Sequence, residues 1–497
     1  MKTGQVILVG AGPGDPGLLT VKGKKALEQA EVVVYDRLVG REILDLIPPG
    51  AERIDVGKEA SRHTMPQEEI NQLLLDKALQ GKRVVRLKGG DPFLFGRGGE
   101  ELELLARHGV PFQEVPGITS AIAVPAYGGI PVTHRDCASS LHIVTGHQRA
   151  GKPLDIPFQA LVRAGGTLVF LMGVGALEAI CQGLLAAGLA PDTPAALVER
   201  GTTPRQRVIL ATAETLPQRA RAEHAQSPGV IVVGQVCAYA GEMDWFGRLP
   251  LKGKQVIVTR PRERAGTLAQ KLRELGAEVT EFPCIETVPL TPCPALEEAL
   301  AHISEYEWLA FTSPAGVAAL MGHLDRAGRD VRALGNIKLA AIGPGTAGEL
   351  KNHGLRADLV PETYDDGAHL GAALCGQKPQ GKVLLLRAKA GSPALPEALA
   401  AAGIPCDDVA CYETRYPCPN GEQVRALLEQ GAIVTFTSAS TVKGFLAALG
   451  EGADLSRVTA ACIGPQTEAE ARQRGLFTIT ANQATIDSLV ARIMEEN

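Results

Sequence analysis

GKRVVRLKGGDPFLFGRGGE, residues 81–100, runs from a strand into a glycine-rich loop. It opens on a basic turn and continues as a short apolar strand, Val84 to Leu87. It then breaks into a loop, Lys88 to Gly99, with five glycines and one proline. Glycine tolerates positive φ and adds no Cβ, so this backbone is suited to pass close to a ligand. The loop's charges after Lys88 are Asp91 and Arg97. They follow the carboxyl end of a strand, where open α/β sheets bind ligands. A structural turn with solvated charges accounts for one such loop equally well, so the rest of the chain has to decide.

At 497 residues the chain is too long for one ordinary core, and two to four domains are expected. Hydrophobic residues make up 45% and charged residues 21%, a globular balance. A formal charge of −5 argues against nucleic acid as the main partner. No apolar run reaches the roughly 18 residues of a membrane span. The amino terminus, MKTGQVILVGAGPGD, reads as a strand ending in a glycine turn, not as a signal peptide. Ten cysteines are scattered without a CxxC pair, so no metal site is expected and the compartment is expected to be the reducing cytoplasm.

From residue 5 the pattern is strand, glycine turn, helix. Gly12-Pro13-Gly14-Asp15-Pro16-Gly17 formally satisfies G-x-G-x-x-G, and Asp36 follows at about the right distance for a dinucleotide fingerprint. That fingerprint works by presenting backbone N–H groups to a diphosphate, and Pro13 and Pro16 remove two of them. The loop therefore suits a ligand without a diphosphate, with an NAD(P) oxidoreductase as the alternative. Further strands are expected at Val32–Tyr35, before Gly57-Lys58, at Thr167–Leu171, at Pro194–Glu199 and at Val230–Val236. A short linker at 249–253 separates two domains, 1–248 and 254–497.

The second domain contains a duplication. GKQVIVTRP at 253 returns as GKVLLLRAK at 381, FTSPAGVAAL at 311 as FTSASTVKGF at 436, and AIGPGT at 341 as CIGPQT at 462. Each unit is a strand, a small polar turn and a helix, the βα pattern of a parallel sheet. Two similar α/β lobes facing across a cleft follow from this. Their turns, Thr312-Ser313, Gly343 to Thr346, Thr437-Ser438 and Gly464 to Thr467, can form anion-binding nests at helix starts or serve as simple N-caps.

The motifs VGAGPGDPGLLT, YDRLV, VGK, GGDPFLFGRGGEE, PGITSAIAVPAYGGIPVTHR and FLMG resemble uroporphyrinogen-III C-methyltransferase, of the tetrapyrrole methylase family, over residues 5 to about 246. The resemblance implies a two-lobed α/β methylase domain that uses S-adenosylmethionine and forms a homodimer. It implies cofactor contacts at Pro13, Gly89, Gly90, Asp91, Leu94, Thr119, Ser120, Met172 and Gly201, with Asp36 as proton acceptor and Lys58 as donor. The implied substrate carries eight carboxylates, for which Arg37, Arg41, Arg62, Arg97 and Arg135, with His63 and His134, are candidate partners. Residues 252–497 resemble uroporphyrinogen-III synthase, whose lobes interleave. That implies one lobe from about 254–286 plus 418–497 and another from about 287–417. It assigns Tyr412 to assist departure of the substrate's hydroxyl and places Thr346 and Thr467 against the substrate, beside Thr312, Ser313 and Ser438 in the turns. No cofactor is expected in this half. Together the two resemblances imply an enzyme that closes hydroxymethylbilane to uroporphyrinogen III and methylates it at carbons 2 and 7. A non-catalytic two-lobed second half is the other alternative.

Overall fold

The computed structural model describes residues 3–57, 65–146, 154–260, 262–362, 367–417, 421–450, 454–455 and 457–496. The chain divides into two compact units between Lys252 and Gly253. In the first unit β1 (Gln5–Gly10), β2 (Val32–Tyr35), β3 (Glu52–Asp55), β4 (Arg83–Lys88) and β5 (Phe112–Val115) form a parallel sheet, ordered β3-β2-β4-β1-β5. Apolar side chains alternate to both faces because both are covered. Ala26 and Leu27 of helix Val21–Glu28 pack on Ile7, Val9, Val85 and Leu87. On the opposite face, Leu74 of helix Gln67–Leu79 and Leu105 of helix Gly98–Arg107 pack on Val6, Leu8, Val34 and Val84.

This arrangement decides where a ligand can bind. The chain leaves β1 toward β2 on one side and leaves β4 toward β5 on the other. β1 and β4 are adjacent, so their following loops diverge and open a crevice at the strands' carboxyl ends. The glycine-rich stretches of the sequence lie there.

The unit's second sheet contains β6 (Leu141–Thr145), β7 (Thr167–Leu171), β8 (Pro194–Glu199), β9 (Arg207–Thr212) and β10 (Gly229–Val233), ordered β6-β7-β10-β8-β9. Only the β6–β7 pairing is parallel. The last strand stops at Val233, short of the expected Val236. Gly234 takes φ 149° and Gln235–Tyr239 winds into a 3₁₀ turn that buries Val236. An apolar run alone does not separate a strand from a buried turn.

The second unit contains β11 (Gln255–Val258), β12 (Glu278–Glu281), β13 (Glu286–Pro289), β14 (Tyr306–Phe311), β15 (Lys338–Ala341), β16 (Lys382–Ala388), β17 (Cys406–Arg415), β18 (Ile433–Phe436), β19 (Thr459–Cys462) and β20 (Phe477–Thr480). One sheet is ordered β12-β11-β18-β19-β20 and is parallel throughout. The other is ordered β13-β17-β16-β14-β15, with β13 antiparallel to β17 at its edge. Two parallel-sheet lobes were the expectation, and both sheets are parallel apart from this one edge strand. Fully buried Phe311 and the Phe436–Phe445 pair anchor the two cores, each such side chain contributing roughly 1.5–3 kcal/mol by burial. Among the described residues no helix is long and apolar enough to cross a membrane.

Candidate active sites

The crevice of the first unit is lined by backbone. Ala11 N–H donates to Lys88 O at 2.8 Å, and Gly12 and Gly90 exchange N–H···O bonds of 3.2 and 2.7 Å. The loops after β1 and β4 are thereby joined. The loop after β5 comes as close: a Cβ on Gly117 would stand 2.2 Å from Gly90 O, and one on Gly10 would stand 2.4 Å from Gly117 Cα. Three backbones meet where no side chain fits.

Asp91 shapes this cradle. Its Oδ1 accepts from the N–H groups of Phe93 and Leu94 at 2.9 and 3.0 Å, and its Oδ2 accepts from Gly117 N–H at 3.1 Å. Thr119 caps helix Ser120–Tyr127 by accepting from Ala121 N–H, and Leu94 packs on the helix's buried Ala121 and Val124. Pro13 sits between Gly12 and Gly14, both at positive φ. The next residue, Asp15, receives a bond through its backbone from the loop after β8: its N–H donates to Thr202 Oγ1 at 3.2 Å. Gly201 is buried there, and a Cβ on it would stand 2.3 Å from Val124. The structure thus brings Pro13, Gly89, Gly90, Asp91, Leu94, Thr119, Ser120 and Gly201 into one connected group of loops. Met172 follows β7 at φ 55° with 53% of its surface exposed.

Backbone strain marks the same loops, a signal that sequence patterning did not give. Among the described residues, seven non-glycine residues have positive φ, and five of them are Phe95, Arg97, Met172, Arg200 and Thr202. Such conformations cost roughly 1–3 kcal/mol each and persist where ligands are held.

The dinucleotide alternative fails on geometry. Asp15 Oδ1 accepts from Gly17 N–H at 2.7 Å, and its Oδ2 accepts from Tyr127 O–H at 2.6 Å. The Asp15 carboxylate already takes the Gly17 N–H, one of the donors that a diphosphate would need. Its bond to Asp15 and burial push the Tyr127 hydroxyl far above its ordinary range, burial being the larger cause. Glycine backbones, the half-exposed Met172 and an acidic turn fit a cationic, phosphate-free cofactor such as S-adenosylmethionine.

Asp36 stands one residue past β2. Its Oδ1 accepts from Leu38 N–H at 3.1 Å, and its Oδ2 lies 3.7 Å from Arg86 Nη2. Arg86 is buried and is held by Glu101, as is Lys88. Burial first, and then the neighbouring Arg86, push the Lys88 ammonium below its ordinary range, against the pull of Glu101. These three residues were not singled out from the sequence. The available signal was Glu101 on the same helix stripe as Leu102 and Leu105. Arg37, Arg41 and Arg135 are exposed. Arg97 grips Glu100 through Nη2–Oε2 at 2.6 Å and Nε–Oε1 at 3.0 Å, and that bond holds the Glu100 carboxyl below its ordinary range. Lys58, Arg62 and His63 lie outside the described residues.

In the second unit, four helices begin just past the carboxyl ends of β14, β15, β18 and β19. Ser313 caps helix Pro314–Arg326 by accepting from Gly316 N–H, and Ser438 caps helix Ala439–Leu449 in a reciprocal box with Thr441. Helices Pro344–Asn352 and Pro465–Gln473 start instead at Gly343 and Gly464, without a side-chain cap. Thr346 and Thr467 are both buried one turn inside, while Thr312 is half-buried beside Ser313. Tyr412, from β17, places its hydroxyl 2.8 Å from Ser313 Oγ. The arrangement offers one phenol beside helix N-termini, with hydroxyls and free amides for carboxylates.

Comparison with known proteins divides the chain along the same lines. The family model Tetrapyrrole (Corrin/Porphyrin) Methylases matches residues 5–217, and Uroporphyrinogen-III synthase HemD matches residues 266–491. The Porphyrin biosynthesis protein HemD of Ruminiclostridium josui is 48% identical over 498 residues, spanning 100% of this chain and 98% of that protein. The Uroporphyrinogen-III C-methyltransferase of Bacillus subtilis (strain 168) is 43% identical over 362 residues, spanning 72% of this chain and 74% of that protein. A solved structure of Uroporphyrin-III C-methyl transferase from Thermus thermophilus, complexed with S-adenyl homocysteine, is 42% identical. It covers 47% of this chain and 93% of its own, with a TM-score of 0.41.

Proposed function

Because the chain belongs to the porphyrin-biosynthesis family that fuses a tetrapyrrole methylase to a uroporphyrinogen-III synthase, we propose that it catalyses two consecutive reactions. Residues 254–497 cyclise hydroxymethylbilane to uroporphyrinogen III with inversion of the last pyrrole. Residues 1–248 methylate that product at carbons 2 and 7, giving precorrin-2. The observation that carries this reading is the glycine cradle beside Asp36, closed to phosphate by Asp15.

S-adenosylmethionine, when bound, supplies an electrophilic methyl group. Gly89, Gly90, Asp91, Thr119, Ser120 and Gly201 would hold it, with Pro13, Leu94 and Met172 as apolar walls. Methyl transfer to an electron-rich carbon depends mainly on alignment, for which effective molarities reach on the order of 10⁵ M or more. As the new carbon–carbon bond forms and the sulfur–methyl bond breaks, the pyrrole system must shed one proton, and the Asp36 carboxylate receives it. Lys58 is the proposed donor. Arg37, Arg41, Arg62, Arg97 and Arg135 are the proposed partners of the substrate's carboxylates.

In the second unit Tyr412 assists loss of hydroxide from hydroxymethylbilane. Thr312, Ser313, Thr346, Ser438 and Thr467, with their helix starts, hold its carboxylates, and this half uses no cofactor. The lobe boundaries we propose, about 254–286 plus 418–497 and about 287–417, follow the two sheets. Nine free cysteines among the described residues support a cytoplasmic setting. Exposed Phe93, Phe112, Ile118 and Ile122 support a homodimer through the methylase half.

The test is anaerobic incubation of the purified chain with hydroxymethylbilane and S-adenosylmethionine, read by mass spectrometry with isomer analysis. Dimethylated type-III product is expected. An unmethylated type-III ring would refute the methylase assignment, and only the spontaneous type-I ring would refute the synthase assignment.

A further inference from the structure

Arg86 and Lys88 alternate with Val85 and Leu87 along β4, so their side chains leave the sheet on the same face as Val84. Helices Gln67–Leu79 and Gly98–Arg107 roof that face with Ile70, Leu74, Leu102 and Leu105. Two cations therefore lie inside an apolar layer, Arg86 with 3% and Lys88 with 5% of its surface exposed. Their counter-charge is Glu101, which is fully buried. Its Oε1 accepts from Lys88 Nζ at 2.8 Å, Arg86 Nε at 3.2 Å and Gln67 Nε2 at 3.2 Å. Its Oε2 is buried without a hydrogen-bond partner.

Such a network is weak evidence for stability, because an apolar filling of the same volume would serve as well or better. It does reach the crevice through one group. Arg86 donates toward Val34 O and Leu87 O at 3.4 and 3.2 Å, which directs its remaining nitrogen past the end of β2. That nitrogen, Nη2, lies 3.7 Å from Asp36 Oδ2. A planar guanidinium gripped by Glu101 and two carbonyls cannot swing, so it presents a fixed positive charge to a carboxylate that, among the described residues, is otherwise tied only at Oδ1.

We propose that Arg86, fixed by Glu101, is a positioning residue for methylation: it holds the Asp36 carboxylate toward the crevice and keeps a cation beside it. This rests on the reading of Asp36 as the proton acceptor. Arg86 touches neither substrate nor cofactor and acts through Asp36 alone.

The test is a double-mutant cycle in the intact chain, measuring methyl transfer to supplied uroporphyrinogen III. Asp36→Asn is expected to lower kcat by about 100-fold or more, the usual range for a lost general base. Arg86→Gln is expected to lower kcat at least tenfold with KM for S-adenosylmethionine unchanged. The double variant is expected to be no slower than Asp36→Asn, because Arg86 has nothing left to position. Arg86→Lys, which keeps the charge without the fork, is expected to recover part of the loss. It takes the place of Arg86→Gln in the cycle should the latter fail to fold. Losses that multiply in the double variant would overturn the inference while leaving Asp36 in its role. Wild-type kcat for Asp36→Asn would remove the proton acceptor itself, and the inference with it.

Discussion

Glu101→Gln tests whether the buried cations depend on the buried anion between them. The substitution keeps shape and volume, so helix Gly98–Arg107 still packs through Leu102 and Leu105. What is lost is the charge that faces Lys88 at 2.8 Å and Arg86 at 3.2 Å. Removing one partner of a buried ion pair costs about 3–5 kcal/mol. In a unit of this size, a loss of about 3 kcal/mol lowers the melting temperature by roughly 6–12 °C.

The deficit must also depend on pH. Burial already lowers the Lys88 pKa, and Glu101 opposes that fall. With glutamine the ammonium gives up its proton at lower pH still. Above the variant's folded pKa, the unfolded chain binds a proton that the folded chain lacks, so the variant gains stability as pH rises. Wild type gains nothing until its own, higher, folded pKa is reached. Between the two values the deficit shrinks by about 1.4 kcal/mol per pH unit. Calorimetric melts of the intact chain at pH 6 and pH 9, following the transition of the first unit, measure this. A deficit under about 1 kcal/mol, or one that grows with pH, would refute the reasoning, because the two cations would then be adequately solvated without Glu101.

Three further outcomes are expected. Gly117→Ala drives a Cβ to 2.2 Å from Gly90 O and 2.6 Å from Gly10 Cα, contacts that backbone cannot relieve; S-adenosylhomocysteine binding by calorimetry should weaken tenfold or more, since overpacking costs about 1–3 kcal/mol, while synthase turnover is unchanged. Tyr412→Phe keeps the ring and removes the hydroxyl bonded to Ser313; cyclisation to the type-III isomer should fall at least about tenfold by chromatographic isomer analysis, with methylation of supplied uroporphyrinogen III intact. Phe95→Gly relieves φ 55° on a side chain that is 41% exposed; the first unit should melt about 2–4 °C higher, for a gain of about 1 kcal/mol, yet transfer methyl groups more slowly, and an unchanged or lower melting temperature would mean that the loop carries no strain.

Local signals carried most of the reading from sequence. The glycine loops after β1 and β4 were legible because composition alone marks close backbone approach, and the strands before them because alternation is a short-range pattern. The buried network was not legible. Arg86 lies inside a strand read as apolar, Lys88 opens the loop after it, and Glu101 reads as solvated on any helix whose neighbours are unknown; only the folded sheet shows that all three share an apolar layer. Asp91 was expected at a cofactor; what its sequence position did not show is that its carboxylate accepts from three backbone N–H groups, bonds that reach as far as Gly117. Val236 was assigned to a strand because burial looks the same in a strand and in a 3₁₀ turn.

The antiparallel edge strand of the second unit has a cause in the duplication. The chain builds β11 and β12, crosses through β13, completes the other sheet, and returns through the end of β17 to add β18, β19 and β20. By the repeat, β12-β11-β18-β19 corresponds to β17-β16-β14-β15, and the strand orders agree. The two crossings are themselves repeats, Cys284-Ile285-Glu286-Thr287 and Cys411-Tyr412-Glu413-Thr414. In the structure Thr287 pairs with Thr414, its own counterpart, and Glu286 pairs with Arg415. Equivalent residues that pair with each other require a local two-fold relation, and a two-fold relation makes strands antiparallel. β13 therefore runs against its neighbours because it is the symmetry mate of the strand it meets. The symmetry is broken one residue earlier in each repeat, where Ile285 stands for Tyr412. The two sets of helix starts are equivalent, but only one of the two crossings carries a tyrosine at this position. On the proposed function, the Tyr412 phenol marks one half of a nearly symmetric frame, as a reaction requires when one end of a chain of similar rings must be told from the other.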